Sequence, residues 1–256
     1  MKRFFIISAL LCMSHVIGAA ENLRGFYKSI RDVLIQENGE ELVDLRNQSI
    51  IAYDASFLMD NPDCTQMRKT VYDKLCAAQQ LLPNGLRFEL NVGLRSLDVQ
   101  EKLFNEMYEK IKLKFPKKNK QELFEETSKF VAPVKTWEGH QNTPPHSTGG
   151  AIDVILIDGQ GGCLDLGEDP NDPFNPAMIQ TNSTLISLEA RKNRDIMATA
   201  LSAVGFVNYP AEFWHWSYGD RRWAFLNHAK YSFYGPISFG GEKNTRADIN
   251  LGHGEK

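Results

Sequence analysis

The spacing of apolar residues divides the chain into helical and extended stretches. Leu23, Phe26, Tyr27, Ile30, Val33 and Leu34 recur every third or fourth position and predict a short amphipathic helix. Met67, Val71, Leu75, Ala78 and Leu82 predict a stronger one, stopped by Pro83-Asn84-Gly85; Leu86, Phe88, Leu90 and Val92 then alternate with polar neighbours, the period of a half-buried strand. Ser96 can cap a helix carrying Leu103, Phe104, Met107, Ile111 and Phe115, and Pro116 with Lys117, Lys118 and Lys120 makes a solvated turn. A helical patch over 123–131 leads into a turn-rich stretch, 136–150. Residues 151–157 read as a buried strand, with Asp158-Gly159 as its turn. After a loop punctuated by Asp169-Pro170-Asn171-Asp172-Pro173, Ser187 caps a helix with Leu188, Ile196, Ala200 and Leu201 that closes at Gly205; strands are expected over 206–209 and 213–218. With no repeat and no long linker, the pattern predicts a single α+β domain. Its small, mainly antiparallel sheet is flanked by helices and carries the candidate site, and residues 21–62 form an N-terminal extension packed on it.

The first twenty residues have a different character. Lys2 and Arg3 precede an apolar run from Phe4 to Ile17 that ends in Gly18, Ala19 and Ala20, the layout of a secretory signal peptide cleaved near Ala20. The alternative is a buried N-terminal helix or a membrane anchor, but the run is shorter than the ~20 residues a span requires. The expected location is therefore periplasmic or secreted, with no stable membrane anchor after cleavage. Cys12 follows Leu10 and Leu11, not the small residue that a lipidation signal places before its cysteine.

The 256 residues carry 29 basic and 32 acidic side chains, a net charge of -3, with 42% hydrophobic and 24% charged positions. That balance excludes a disordered or collagen-like chain, and the lack of a basic block excludes nucleic acid as a partner. Cleavage would remove Lys2 and Arg3 and no acid, leaving an exported chain that is more acidic. Cys64, Cys76 and Cys163 would remain, an odd number in a compartment that permits disulfides. Cys64 and Cys76 fall on one predicted helix, about 18 Å apart at about 1.5 Å per residue, so any pair would involve Cys163; the alternative is three free thiols.

Candidate chemistry gathers around two histidines. His146 opens His146-Ser147-Thr148-Gly149-Gly150-Ala151-Ile152-Asp153, where glycines allow a tight turn and an acid follows inside an apolar run. A buried Asp must be paired or bound to a cation. His215 lies in Glu212-Phe213-Trp214-His215-Trp216, again an acid and a histidine in aromatic surroundings. Zinc takes His nitrogen and carboxylate oxygen, and a catalytic site leaves one position open, so His146, Asp153 and His215 would supply such a set. Each also has an ordinary explanation: a hydrogen-bonded core histidine, an Asp capping a turn, aromatics that are plain core. On a regular strand Glu212 and His215 would face opposite sides. Glu212 is therefore expected on the turn entering the strand, after Pro210.

The order His-x-x-Gly-x-Ala-x-Asp, followed by Glu-x-x-His, resembles the D-alanyl-D-alanine dipeptidases of the VanX type, within the wider group of zinc D-Ala-D-Ala peptidases that includes the VanY-type carboxypeptidases. The shared pattern spans roughly Arg95 to Trp216. The resemblance implies that His146, Asp153 and His215 hold one zinc ion per chain, that Glu212 is the general base, and that Arg95 in Gly93-Leu94-Arg95 is the active-site arginine, for which a surface salt bridge is the alternative. It implies hydrolysis of D-Ala-D-Ala or a related D-amino-acid dipeptide in cell-wall peptide turnover or recycling, the partners being that dipeptide and peptidoglycan fragments. Alternatives are a D,D-carboxypeptidase acting on stem peptides and a catalytically silent zinc- or peptidoglycan-binding module.

The chain departs from the family's pattern in places. Pro144 stands where the family has Ser two residues before the first histidine, with Thr143 one further back, and Leu94 and Ser96 flank Arg95 in place of Tyr and Pro. Tyr53-Asp54-Ala55 echoes the family's N-terminal aromatic cluster only faintly. Asp165-Leu166-Gly167 and Phe174 resemble the loop that closes a dipeptidase pocket, and the acidic stretch 168–176 could cover the cleft or be solvated. His140, His228 and His253 have no motif around them, and Trp214 and Trp216 are expected to pack.

Overall fold

A computed structural model of the chain describes residues 30–237 apart from 170, 171, 173 and 174. The expected signal peptide, the helical positions Leu23, Phe26 and Tyr27, Phe174 and His253 lie outside the described residues. The strands are β1 (Leu34–Ile35), β2 (Leu42–Asp44), β3 (Ala52–Tyr53), β4 (Gln66–Arg68), β5 (Arg87–Val92), β6 (Ala151–Ile157), β7 (Val207–Tyr209), β8 (Glu212–Ser217) and β9 (Tyr231–Ser232). The helices are α1 (Lys69–Gln79), α2 (Leu97–Lys114), α3 (Lys120–Thr127), α4 (Leu188–Ala203) and α5 (Arg221–Leu226).

The central sheet has five strands in the order β3-β5-β6-β8-β7. Only β3 and β5 run parallel; the other three pairs are antiparallel, the mixed α+β arrangement expected from the sequence. β6 is the middle strand, and its apolar run follows from this position: Ala151, Ile152, Val154, Leu156 and Ile157 are all buried. α1 and α4 pack on each other and close one side of the core, where Leu75, Ala78, Met197, Ala200 and Leu201 meet Phe88, Leu90 and Leu156 from the sheet. The helix starts read from the sequence are present, with the Ser96 hydroxyl accepting from Val99 N–H and that of Ser187 from Ala190 N–H.

Three local expectations need correction. Val33 and Leu34 are not helical: Leu34 begins β1, which pairs in parallel with β9, and its side chain is 71% exposed. Met67 lies on β4 and Leu82 beyond the end of α1, although both are buried; strand, helix and turn face one core, which extends the helical period past the helix at both ends. Cys64 therefore precedes β4 while Cys76 sits on α1, so the two are not on one helix. Cys64, Cys76 and Cys163 are all free, and burial pushes the Cys64 thiol up to about 11. Finally, α3 stops at Thr127, and Phe130 and Val131 follow as turns whose N–H groups donate to the Thr127 carbonyl.

Arg68, only 2% exposed, ties three distant segments together. Its guanidinium donates to the Thr148 carbonyl (2.8 Å), to the Glu40 carbonyl (2.6 Å) and to the Glu37 carboxylate (3.0 Å), and it lies 5.0 Å from the Tyr234 ring centre. The stretch before β2, the turn before β6 and the segment after β9 are thus joined through one side chain. Arg68→Met would remove this donor from the buried Thr148 carbonyl and the part-buried Glu40 carbonyl, and a loss of about 3 kcal/mol is expected, read as a lower urea midpoint with an unchanged slope.

Candidate metal centre

The register of the central sheet sets up the site. β6 and β8 pair so that Asp153 stands directly opposite His215, and cross-strand partners project from the same face of a sheet. His215 Nδ1 lies 3.0 Å from Asp153 Oδ1. His146 arrives from the short 3-10 turn Pro145–Thr148, which Gly149 ends in the left-handed region at φ +69° before the chain enters β6. Gly150 is required for a different reason, since a Cβ there would meet the Tyr218 carbonyl oxygen at 2.7 Å and the Tyr234 ring at 2.9 Å. The two glycines of the motif thereby allow His146 to fold back over Asp153.

The three side chains converge within 4.8 Å. His146 Nε2 lies 3.1 Å from His215 Nδ1 and 3.3 Å from Asp153 Oδ1, and the two rings meet edge to face at 83°. His146 and His215 are 6% and 5% exposed. Burial raises the Asp153 carboxyl pKa, but the flanking histidines outweigh it and hold the group well below the usual carboxylate range. Burial also lowers the His215 pKa, against the pull of Asp153.

This donor set fits a divalent cation. His146 Nδ1 is 2.8 Å from the Gly93 carbonyl oxygen and must donate to it, which leaves the lone pair of Nε2 directed at the other two residues. Two imidazole nitrogens and a carboxylate oxygen turned toward one another in a buried site repel unless a proton or a cation sits among them. Two nitrogens and one oxygen match the three protein donors of an open, four-coordinate zinc-type site.

Glu212 is the first residue of β8, not part of the preceding turn as its spacing suggested, yet it does share a side with His215: Glu212 Oε2 lies 3.9 Å from His215 Nδ1. The reason is a break in the β7–β8 ladder. Asn208 pairs with Trp216, but the next residue, Tyr209, pairs with Glu212, so Phe213, Trp214 and His215 bulge between the two rungs. Burial, followed by the nearby Asp153 charge, pushes the Glu212 carboxyl up to about 8, with Arg95 and Arg222 opposing.

Arg95 is not a surface salt bridge. Its backbone N–H donates to the His146 carbonyl (3.1 Å), and its Nη1 donates to Gln100 Oε1 (3.1 Å), which Ala132 in turn fixes through Gln100 Nε2 (2.7 Å). Among the described residues its buried Nε has no hydrogen-bond partner. Burial lowers its pKa while Asp153 and Glu212 pull the other way, so the guanidinium lies within electrostatic reach of both carboxylates.

The residues around this centre resolve several open readings. Pro144 caps the 3-10 turn, its carbonyl accepting from the backbone and hydroxyl of Ser147 (3.0 and 2.7 Å). Asp54 caps a short turn through Ser56 N–H (2.8 Å). Asp165 accepts from Gly167 N–H and from the Ser187 hydroxyl, and Arg194 donates to the carbonyls of Leu166, Gln180 and Met178 with its guanidinium 3.8 Å from the Phe213 ring centre. The loop after β6 is thus pinned to α4 and β8. Trp216 is core, 2% exposed, and Trp214 packs against it; His140 is exposed and His228 lies in a turn after α5. Sequence reasoning missed the Gly93 carbonyl, Gln100, Asn208 and Arg222. Of these only Gly93 carried a signal, as the neighbour of Arg95.

A buried His-Asp-His cluster with an adjacent glutamate is the arrangement of a metallopeptidase. The profile of the D-ala-D-ala dipeptidase family matches residues 98–233, more than half of the chain, and the protein belongs to that family. A curated D-alanyl-D-alanine dipeptidase from Synechocystis sp. is 31% identical over 109 residues, covering 37% of this chain and 44% of that protein, so the alignment spans less than half of the relative's length. A solved structure of the LdcB LD-carboxypeptidase, described in terms of peptidoglycan recognition, covers 76% of each chain at 18% identity and a TM-score of 0.41.

Gly93 has no room for a side chain: a Cβ would fall 2.3 Å from the Gln66 carbonyl oxygen and 2.9 Å from that of Cys64. Gly93→Ala must displace the carbonyl that orients His146. Metal affinity is expected to fall at least about tenfold, measured by competition with a chromogenic chelator.

Proposed function

We propose that this protein is an exported, zinc-dependent dipeptidase that hydrolyses D-Ala-D-Ala or a related D-amino-acid dipeptide released in cell-wall peptide turnover. The observation that carries the reading is the Glu212 carboxylate held 3.9 Å from His215, beside a cluster whose donors suit a catalytic rather than a closed structural ion. A silent binding module would have no use for a buried base at that distance. Membership of the dipeptidase family and the similarity to the Synechocystis enzyme support the substrate class.

In this reading His146, Asp153 and His215 hold the ion. Zinc, when bound, supplies a Lewis acid for the scissile carbonyl and lowers the pKa of water toward ~7. Glu212 takes the proton from the attacking water and delivers it to the leaving amine. Arg95, fixed through Gln100 and always charged, faces the carbonyl oxygen as negative charge develops there. The Gly93 carbonyl keeps His146 in the tautomer that presents Nε2. The charged start and apolar run of residues 1–20, with cleavage near Ala20, support a periplasmic or secreted location; among the described residues no helix is long and apolar enough to cross a membrane.

The direct test is D-alanine release from D-Ala-D-Ala by the protein lacking residues 1–20, with zinc and with a chelator. Chelator-sensitive release is expected. Release only from a pentapeptide stem would make the protein a D,D-carboxypeptidase, and no release from either substrate, despite bound metal, would sink the enzymatic reading. Glu212→Gln should keep its metal and lose about 10²- to 10⁴-fold in kcat. His215→Ala should lose most of its metal by elemental analysis; a stoichiometric ion in that variant would mean that the ligands are assigned wrongly.

A further inference from the structure

The break in the β7–β8 ladder takes the bulge out of register with β7, and the Asn208 side chain bonds its carbonyls, that of Phe213 also accepting from Trp216 Nε1 (3.0 Å). Asn208 Nδ2 donates toward the backbone oxygens of Glu212 (3.2 Å), Phe213 (3.3 Å) and His215 (3.0 Å), which span the bulge from end to end. The amide cannot be turned around, because Oδ1 would then face three carbonyl oxygens. Thr181 fixes the same orientation from behind, its hydroxyl donating to Asn208 Oδ1. Thr181 N–H donates to the Pro210 carbonyl (3.0 Å) and Phe213 N–H to the Ile179 carbonyl (3.0 Å), so the loop before α4 backs the whole assembly.

The two strands flanking β8 do different work. On the β6 side, His215, Trp216 and Ser217 sit in an unbroken ladder opposite Asp153, Ile152 and Ala151, so His215 is held by β6 as well as by the Asn208 amide. Glu212 has no partner on β6; its backbone is held by the rung to Tyr209 and by the Asn208 amide. On a regular strand its carboxylate would leave the side occupied by His215.

We propose that Asn208 is a positioning residue: its carboxamide holds the β8 bulge and thereby places the Glu212 carboxylate beside the His146-Asp153-His215 cluster. This rests on the proposed role of Glu212 as the proton acceptor. The consequence is selective. Loss of the amide disturbs Glu212 and leaves the cluster, which the β6 ladder and the Gly93 carbonyl hold, able to bind its ion.

The test compares Asn208→Ala and Asn208→Asp with the parent, all lacking residues 1–20 and loaded with zinc. Both variants are expected to retain one zinc per chain, to lose about a hundredfold in kcat as a misplaced reacting group does, and to keep KM within about threefold. In a Glu212→Gln background Asn208→Ala should cost nothing further, since both changes remove the same event. Crystals of Asn208→Ala should show the Glu212 carboxylate swung away from the 3.9 Å contact with His215. Parental kcat in Asn208→Ala, an equal loss on top of Glu212→Gln, or an unmoved Glu212 would each overturn the inference. If the parent hydrolyses no D,D-peptide, or Glu212→Gln costs nothing, the functional reading fails, and the crystallographic position of Glu212 still decides the role of Asn208. Should Asn208→Ala not fold, Thr181→Val keeps the amide and removes only its orienting donor. A several-fold drop in kcat, absent in the Glu212→Gln background, is then expected, and an unchanged kcat counts against the proposal.

Discussion

The antiparallel register of β6 and β8 is the constraint on which the rest of the site depends. Facing partners in such a ladder share a side of the sheet, and here the partners are an acid and a histidine, Asp153 and His215. A shift of one residue would turn one of them to the opposite face, and no rearrangement of side chains would restore the 3.0 Å approach. The apolar residues around Asp153 enforce the register. Ile152, Val154 and Leu156 are buried completely, so sliding β6 would place Asp153 in the core and an aliphatic side chain at the cluster.

The third member of the cluster comes from outside the sheet and is held by backbone. Gly149 turns the chain and Gly150 lets it pass beneath Tyr218 and Tyr234, while the Gly93 carbonyl fixes the His146 ring. Arg95 follows two residues after that carbonyl and bonds the His146 backbone, so one loop leaving β5 both orients a candidate ligand and brings a positive charge to the site. Arg68 then secures the turn from the far side through Thr148. A few backbone groups thus help determine where the ionisable groups meet.

Family membership and local geometry point to the same cluster of residues. The family match begins at residue 98, after Arg95, and takes in His146, Asp153, Glu212 and His215. The Nε of Arg95 is buried and lacks a hydrogen-bond partner among the described residues. Residues 165–167, after β6, are held to α4 and its N-cap through Arg194 and Ser187.

Local pattern carried much of this protein. The helix starts at Ser96 and Ser187, the alternation in β5 and the apolar run of β6 were all legible, because capping and burial act within a few residues of one another. The candidate site residues were legible as well, through their spacing and the family resemblance it carries. Other features depend on segments far apart in the chain. Leu34 forms a strand because Tyr231 lies alongside it, and Met67 mimics a helix position because strand and helix share a core. Glu212 and His215 share a side only because Asn208 on the neighbouring strand holds a bulge that no periodicity announces. The sequence by itself determined which residue types could bind a cation and move a proton. Tertiary structure decided that they meet, since register, bulge and backbone acceptor each need a partner strand or loop that spacing along the chain does not reveal.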